Sequence, residues 1–406
     1  MRRPRLLFVC HRFPYPPKRG GKIRPFNILR HLQQRADVTV ASLVRSPEEA
    51  AEAQGIAGHC SEFLLARIGP AAALGRMLWR LPTATPSSLG NFYSPELARL
   101  IRQRARETPF DLAFVHCSSA AQYVLPLTGL PKVLDFGDMD SEKWSDYAKW
   151  RRFPLSAGYW LEGRKLRREE ARLAAAVELA TCTTRAELAS LEALGTARAT
   201  GWFPNGVDAE FFSPADDYDP DTICFAGRMD YFPNQQAVHW LVGEILPRIR
   251  RRRPGARLLV VGAEPPAAIR RYASDPGVEV TGTVPDVRPY VRSAALSLAP
   301  LRIARGTQNK ILESAAMAVP VVTTRCAAGG VDMRPGEHIL VADDADGLAA
   351  AALELLADPG RRAELAAAAR ARVLSHHAWT ASMRRLDALL DRHFPGLLPA
   401  AGGAGA

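Results

Sequence analysis

Residues 306–324 read GTQNKILESAAMAVPVVTT. A short polar loop opens a helix carrying Lys310 and Glu313, and small residues then lead through Pro320 into the β-branched run 321–324. Lys310 and Glu313 are three residues apart and share one helix face. The first turn of a helix presents free N–H groups and a partial positive charge, which suits a phosphate. A lysine there adds a full charge. A carboxylate one turn further on accepts hydrogen bonds from sugar hydroxyls. Phosphate and ribose are spaced in this way in a nucleotide, so the stretch reads as a nucleotide-sugar site inside a helix–strand unit.

Working outward, the second half alternates strands and helices. Strands are expected at 222–226, 257–261, 278–281, 295–299 and 321–324, with helices at 234–251, 345–357, 361–375 and 379–393. The first half follows the same scheme, with strands at 6–10, 38–43, 111–117, 132–135 and 179–184 and a helix at 22–34. Such alternation implies parallel βαβ units. No repeat of solenoid length is evident. The Pro/Asn/Gly segment 202–214, WFPNGVDAEFFSP, separates the two strand sets. The expectation is an α/β chain of two Rossmann-like, doubly wound domains facing a central cleft, with ligands at the carboxyl ends of the strands. The domains are expected at 1–204 and 205–376. A closing helix at 377–395 would return to the first domain, and a disordered tail would occupy 396–406.

At 406 residues the chain is long enough for two domains, and its 47% hydrophobic and 23% charged content is that of a globular protein. The net charge of +11 implies an anionic partner: nucleic acid, an acidic membrane surface or a phosphorylated substrate. The basic residues are dispersed and no nucleic-acid motif is present, so nucleic acid is set aside. The six cysteines are scattered without a CxxC pair, which argues against a disulfide framework or a zinc site and fits a reducing, cytoplasmic compartment. The apolar run at 6–10 is too short for a signal peptide, and no apolar run is long enough to span a membrane as a helix.

Several residues are candidates for chemistry. Gly20 and Gly21 lie between the first strand and a helix, among Lys18, Arg19, Lys22 and Arg24, and read as an anion-binding loop or as a solvated turn. His116 ends the strand DLAFVHC, where it either reaches a ligand or caps a loop. Gly227 and Arg228 end the strand TICFAG, and an arginine so placed can hold a diphosphate bidentately or simply face solvent. Asp138 and Asp140 form a DxD, a pattern that recurs at Asp219/Asp221 and Asp344/Asp346 and carries no metal assignment. Asp135 and Asp138 are expected on the acceptor side. From Trp144 to Arg172, aromatic and basic residues are interleaved, which suits an acidic membrane surface, RNA, or an amphipathic helix packed on its own domain.

Taken together, FPNGVD (203–208), FAGRMDYFPN (225–234), LLVVG (258–262), VTGTVPDV (280–287) and the 306–324 stretch resemble glycosyltransferase family 4, of GT-B architecture. The resemblance covers most of the chain. It implies retaining transfer of a sugar from a nucleotide-diphosphate donor, with no cofactor and no active-site metal. It also implies roles. Gly20 and Gly21 would lie near the donor phosphates, and His116 would contact the donor sugar. Gly227, Arg228, Gly306, Lys310 and Ile311 would bind the donor at its diphosphate side, with Glu313 on the ribose. Thr283 and Val284, within 282–287, would flank the base. Two positions depart from the family. Arg305 stands eight residues before Glu313, where the family often has a sugar-contacting glutamate, and it is assigned to the donor phosphates or an acidic donor. The usual lysine after Gly227-Arg228 is absent, with Pro233-Asn234 in that region. LDFGDMDSEKW, FAGRMDYFPN and GTQNKILE resemble sugar transferases of bacterial exopolysaccharide clusters, including exosortase-associated ones.

The expected activity is front-face transfer of a sugar to a glycan or polyprenyl-linked acceptor, by a cytoplasmic enzyme peripheral on the inner membrane face. A sugar-nucleotide epimerase or phosphorylase on the same scaffold is the alternative, and a basic nucleic-acid-binding protein the lesser one.

Overall fold

The computed structural model describes residues 2–17, 20–215 and 217–399. Its contacts divide the chain into two units, 1–203 with 383–406 and 204–382.

The first unit holds a seven-stranded sheet in the order β3-β2-β1-β4-β5-β6-β7. Its strands are β1 (Arg5–Cys10), β2 (Asp37–Val44), β3 (Glu62–Arg67), β4 (Leu112–His116), β5 (Lys132–Gly137), β6 (Leu179–Cys182) and β7 (Thr200–Trp202). All pairs are parallel. Helices cover both faces, so the central strands are continuous apolar runs; β1 is RLLFVC and β4 is LAFVH. Leu7, Val9, Ala113, Val115, Leu134 and Ala180 form part of one core cluster.

The second unit holds a six-stranded parallel sheet in the order β10-β9-β8-β11-β12-β13. Its strands are β8 (Asp219–Ala226), β9 (Arg257–Val261), β10 (Val278–Gly282), β11 (Ala294–Ala299), β12 (Val321–Thr323) and β13 (Leu340–Val341). Two parallel sheets with covering helices make this the expected α/β, doubly wound class.

In each sheet the strand order reverses once. In the first sheet the reversal lies between β1 and β4, and in the second between β8 and β11. Chains leaving neighbouring strands on opposite faces open a crevice at the carboxyl ends there, which is where such folds bind ligands.

Three details differ from the expected elements. The helix foreseen over 234–251 is Phe232–Trp240, a π turn Leu241–Ile245, and Leu246–Arg250. Pro247 has no N–H to donate to the preceding turn, and the wider turn absorbs that loss. The helix at the end of the chain, Trp379–His393, straddles the division between units. Ser382 Oγ donates to Pro204 O in the second unit, while Leu389 packs on Gly201 in the first. Finally, residues 396–399, expected as disordered, are held in place. Leu398 is buried, and buried Arg35 donates to Pro399 O at 2.6 Å. Residues 400–406 lie outside the described residues.

Candidate functional site

Both crevices carry polar constellations. In the first unit, β1 and β4 pair with Cys10 beside His116, and β4 and β5 pair with His116 beside Asp135. That register brings the histidine and the carboxylate together. His116 Nδ1 lies 2.8 Å from Asp135 Oδ2. An ionised carboxylate only accepts, so Nδ1 carries the proton and Nε2 is left for a ligand. Arg24 grips the same carboxylate with two bonds of 2.8 Å, Nε to Oδ2 and Nη2 to Oδ1. Thr181 Oγ1 adds a bond of 3.0 Å to Oδ1. Burial alone would raise the Asp135 carboxyl, but the Arg24 guanidinium and then His116 hold it well below the usual carboxylate range.

Two expectations are corrected here. Asp135 has no exposed surface, so it does not line an acceptor face; every one of its bonds serves to orient buried neighbours. Of the cations around the glycine pair, Lys22 and Arg24 are also spoken for. Arg24 is buried on Asp135, and Lys22 Nζ donates to Glu49 at 2.7 Å and to Tyr15 O at 3.3 Å. Gly20 and Gly21 are the first two residues of the Gly20–Leu32 helix rather than a loop before it. Lys18 and Arg19 lie outside the described residues. Asp138 accepts from Thr183 Oγ1 at 3.0 Å.

The sequence reading did not single out His11, which follows β1 as directly as His116 ends β4. Its ring lies 5.9 Å from that of His116 and edge-on to Phe92 at 5.1 Å, and its Nδ1 is buried with no hydrogen-bond partner among the described residues. Burial, followed by the neighbouring His116 and Arg12, pushes His11 well below the ordinary imidazole value, so it is neutral. His11, His116 and Cys117 offer metal-ligand atoms within 4.8 Å of one another. The thiol opposes ligation: burial and then Asp140, Asp135 and Asp138 push Cys117 well above its ordinary value and keep it protonated.

In the second unit, the loop after β8 meets the helix that follows β11. Lys310 Nζ donates to Asn234 Oδ1 at 2.6 Å, and Asn234 Nδ2 donates to Arg228 O at 2.7 Å. Buried Asn234 thus ties the turn after β8 to the first turn of the Asn309–Ala316 helix. The backbone is packed closely here. A Cβ on Gly262 would sit 1.7 Å from Gly227 O, so only glycine permits these two strand ends to approach. Gly306 has a φ of 62°, and a Cβ on Gly330 would lie 2.1 Å from its carbonyl.

The Asn309–Ala316 helix starts without a side-chain cap from Gln308. Just before and within its first turn, Thr307 Oγ1 and Asn309 Oδ1 are buried with no hydrogen-bond partner among the described residues. Unsatisfied buried polar atoms are costly, and a bound ligand or an ordered water would satisfy them. Neither residue was singled out from sequence. Burial pushes Lys310 down to about 8, partly offset by Glu313, and pushes Glu313 up to about 7, partly offset by Lys310. Arg228 is half-exposed and engaged by Asp230 (3.0 and 2.9 Å) and Glu264 (2.8 Å), so a diphosphate would compete with two carboxylates for it. The Arg305 carbonyl accepts from Gln308 at 3.0 Å.

Ile311 is corrected as a donor contact. Its side chain is fully buried in the core and its N–H donates to Gln308 O at 2.9 Å. Thr283 and Val284 follow β10, two strands away from β8 in the sheet, and Val284 packs against a second apolar cluster.

Asn234→Ala is expected to weaken donor binding about tenfold, since hydrogen bonds to charged groups are worth about 1.5–3 kcal/mol. Calorimetry with a nucleotide sugar checks this; unchanged affinity would show that Asn234 does not position Lys310.

Comparison with known proteins fits this geometry. Residues 220–358 match the family described as Glycosyl transferases group 1. A GDP-mannose-dependent alpha-(1-6)-phosphatidylinositol monomannoside mannosyltransferase of Mycolicibacterium smegmatis is 30% identical over 235 residues, 51% of this chain. The chain spans 60% of that relative's length. Two solved structures superpose along nearly the whole chain. Sucrose-phosphate synthase from Thermosynechococcus elongatus covers 97% of this chain and 99% of its own at 17% identity, with a TM-score of 0.70. Anabaena HepE in complex with UDP covers 96% and 100% at 14% identity, with a TM-score of 0.68. The chain thus has the two-domain, Rossmann-like GT-B fold, and its segment 220–358, which lies wholly in the second unit, is similar to group 1 glycosyl transferases.

Proposed function

We propose that the chain is a retaining glycosyltransferase that moves a sugar from a nucleotide-diphosphate sugar to a glycan or polyprenyl-linked acceptor. It would act in cell-surface polysaccharide assembly, peripherally on the inner membrane face. The observation that carries the proposal is the uncapped helix N-terminus beside Lys310, with Thr307 Oγ1 and Asn309 Oδ1 buried and unpartnered around it. Helix N–H groups and a lysine suit a diphosphate, and Glu313 on the same helix face suits ribose hydroxyls. Anabaena HepE is solved with UDP, and the mycobacterial relative is named as GDP-mannose-dependent. The closer sequence match makes GDP-mannose the first donor to test.

No carboxylate is assigned as a covalent nucleophile, so transfer would be front-face, with the leaving diphosphate taking the acceptor proton. Lys310, the helix N–H groups and Arg228, once drawn from Asp230 and Glu264, would stabilise the charge that develops on the diphosphate. His116, with its proton fixed on Nδ1 by Asp135, would present Nε2 to the transferred sugar. Cationic protein groups would do the work that a metal does in other transferases, so no cofactor is assigned.

A thermal-shift screen of nucleoside diphosphates and their sugars tests this, because a bound donor stabilises the folded state. Stabilisation by a nucleotide sugar, followed by acceptor-dependent release of the diphosphate in EDTA, is the expected result. Turnover without an acceptor would favour the epimerase alternative, and stabilisation by no nucleotide would overturn the assignment.

A further inference from the structure

Nine of the thirteen exposed large apolar side chains among the described residues lie in two stretches of the first unit. Leu74, Leu78, Trp79 and Leu81 belong to the helix Pro70–Arg80 and the residue after it. That helix buries only Ala73, so its large apolar residues do not serve the core. Trp150, Phe153, Leu155, Trp160 and Leu161 surround the turn between the helices Asp140–Trp150 and Leu155–Ala175. Trp79 is 81% exposed and Phe153 83%, which no packing role accounts for.

The two stretches adjoin. Lys165 Nζ donates to Leu81 O at 2.8 Å and to Arg80 O at 3.3 Å, pinning the end of the first helix against the last. Leu161 stands one turn before Lys165. Between them, Glu162 accepts from Ser88 N at 2.7 Å.

The charge around this surface is mainly positive. From residue 68 to residue 95 there is no acidic residue, while Arg76 and Arg80 are present. From 149 to 168 there are seven basic residues and one acidic one, Glu162, which is buried on Ser88; Lys165 is buried, and Lys149 and Arg167 pair with Asp146 and Glu142, while Arg152, Arg164 and Arg168 are exposed. The Arg164 guanidinium lies 4.9 Å over the Trp160 ring. A second copy of this chain would set like charges against each other across a symmetric contact.

We infer that this surface docks on an anionic lipid bilayer. The tryptophans, Phe153 and the leucines enter the boundary between headgroups and acyl chains, and the arginines meet lipid phosphates. The inference rests on the peripheral-membrane part of the proposed function and not on the transfer chemistry.

The test is co-sedimentation of the full chain with phosphatidylcholine vesicles, with and without phosphatidylglycerol. The wild type should sediment only with the anionic vesicles and be released by salt. Trp79→Ser/Phe153→Ser and Arg152→Glu/Arg164→Glu should each lower partitioning about tenfold or more, with melting temperature and nucleotide-induced stabilisation unchanged. Binding indifferent to anionic lipid, wild-type partitioning by both variants, or a wild-type dimer that Trp79→Ser dissociates would overturn the inference. Vesicle binding without any nucleotide-induced stabilisation would leave it standing while removing the transferase assignment.

Discussion

Asp135→Asn is expected to destabilise the first unit by about 3–5 kcal/mol, because it leaves the Arg24 guanidinium buried without its counter-charge. For a unit of this size that is a fall in melting temperature of roughly 10 °C. His116→Asn has a different signature. Asp135 keeps both Arg24 bonds and the Thr181 bond, so stability changes little. Loss of the imidazole Nε2 should nevertheless lower turnover by about 100-fold or more, in the range that positioned side chains supply. Nucleotide affinity should hold, because the nucleotide is assigned to the second unit. Scanning calorimetry and product assays on the pair separate the two roles. An Asp135→Asn protein as stable as wild type would show that the carboxylate is not the keystone of this cluster. A fully active His116→Asn protein would remove the histidine from the reaction.

The second large effect lies at Lys310 and Glu313. A nucleotide sugar keeps its diphosphate charge across neutral pH, so any pH dependence of its binding reports the protein. Binding to the ammonium of Lys310 should weaken as pH rises through about 8, where the free lysine loses its proton. Binding to the carboxylate of Glu313 should weaken as pH falls through about 7, where the free glutamate gains one. Affinity is therefore expected to peak between these values. Lys310→Met should cost about 10- to 100-fold in affinity and abolish the alkaline limb. Glu313→Gln should abolish the acid limb. Flat affinity in the wild type across both values would remove these residues from the donor site.

Much of the fold was legible because buried parallel strands are continuous apolar runs. β1, β4, β9 and β11 announce themselves in this way. The strands that escaped, β3, β7 and β13, are the ones such runs cannot reveal. β3 is half-exposed along most of its length, and β7 and β13 are three and two residues long. At the site, Lys310 and Glu313 were legible because their partner features are local: a loop, a helix start and a three-residue spacing. Asp135 was misplaced because its partner, Arg24, lies 111 residues away, and nothing in a linear reading ties the two. Arg24 and Lys22 looked like free cations for the same reason. His11 could have been found by the logic that found His116, since both follow the carboxyl ends of strands that proved to flank the reversal of the sheet. Thr307 and Asn309 are polar residues beside a helix start, a signal too common to stand out until burial shows that nothing among the described residues satisfies them.

The return of the chain to the first unit has a consequence for how the protein is made. Buried Arg35 takes its carboxylate partners, Asp387 and Asp391, and two carbonyls, from Leu398 and Pro399. His31 shares Asp387, and Gly201 lies against Leu389. On the ribosome, the segment that carries these partners emerges only after the whole second unit. Until then the first unit holds an unpaired guanidinium and an uncovered glycine ledge, so its native packing must wait for that segment.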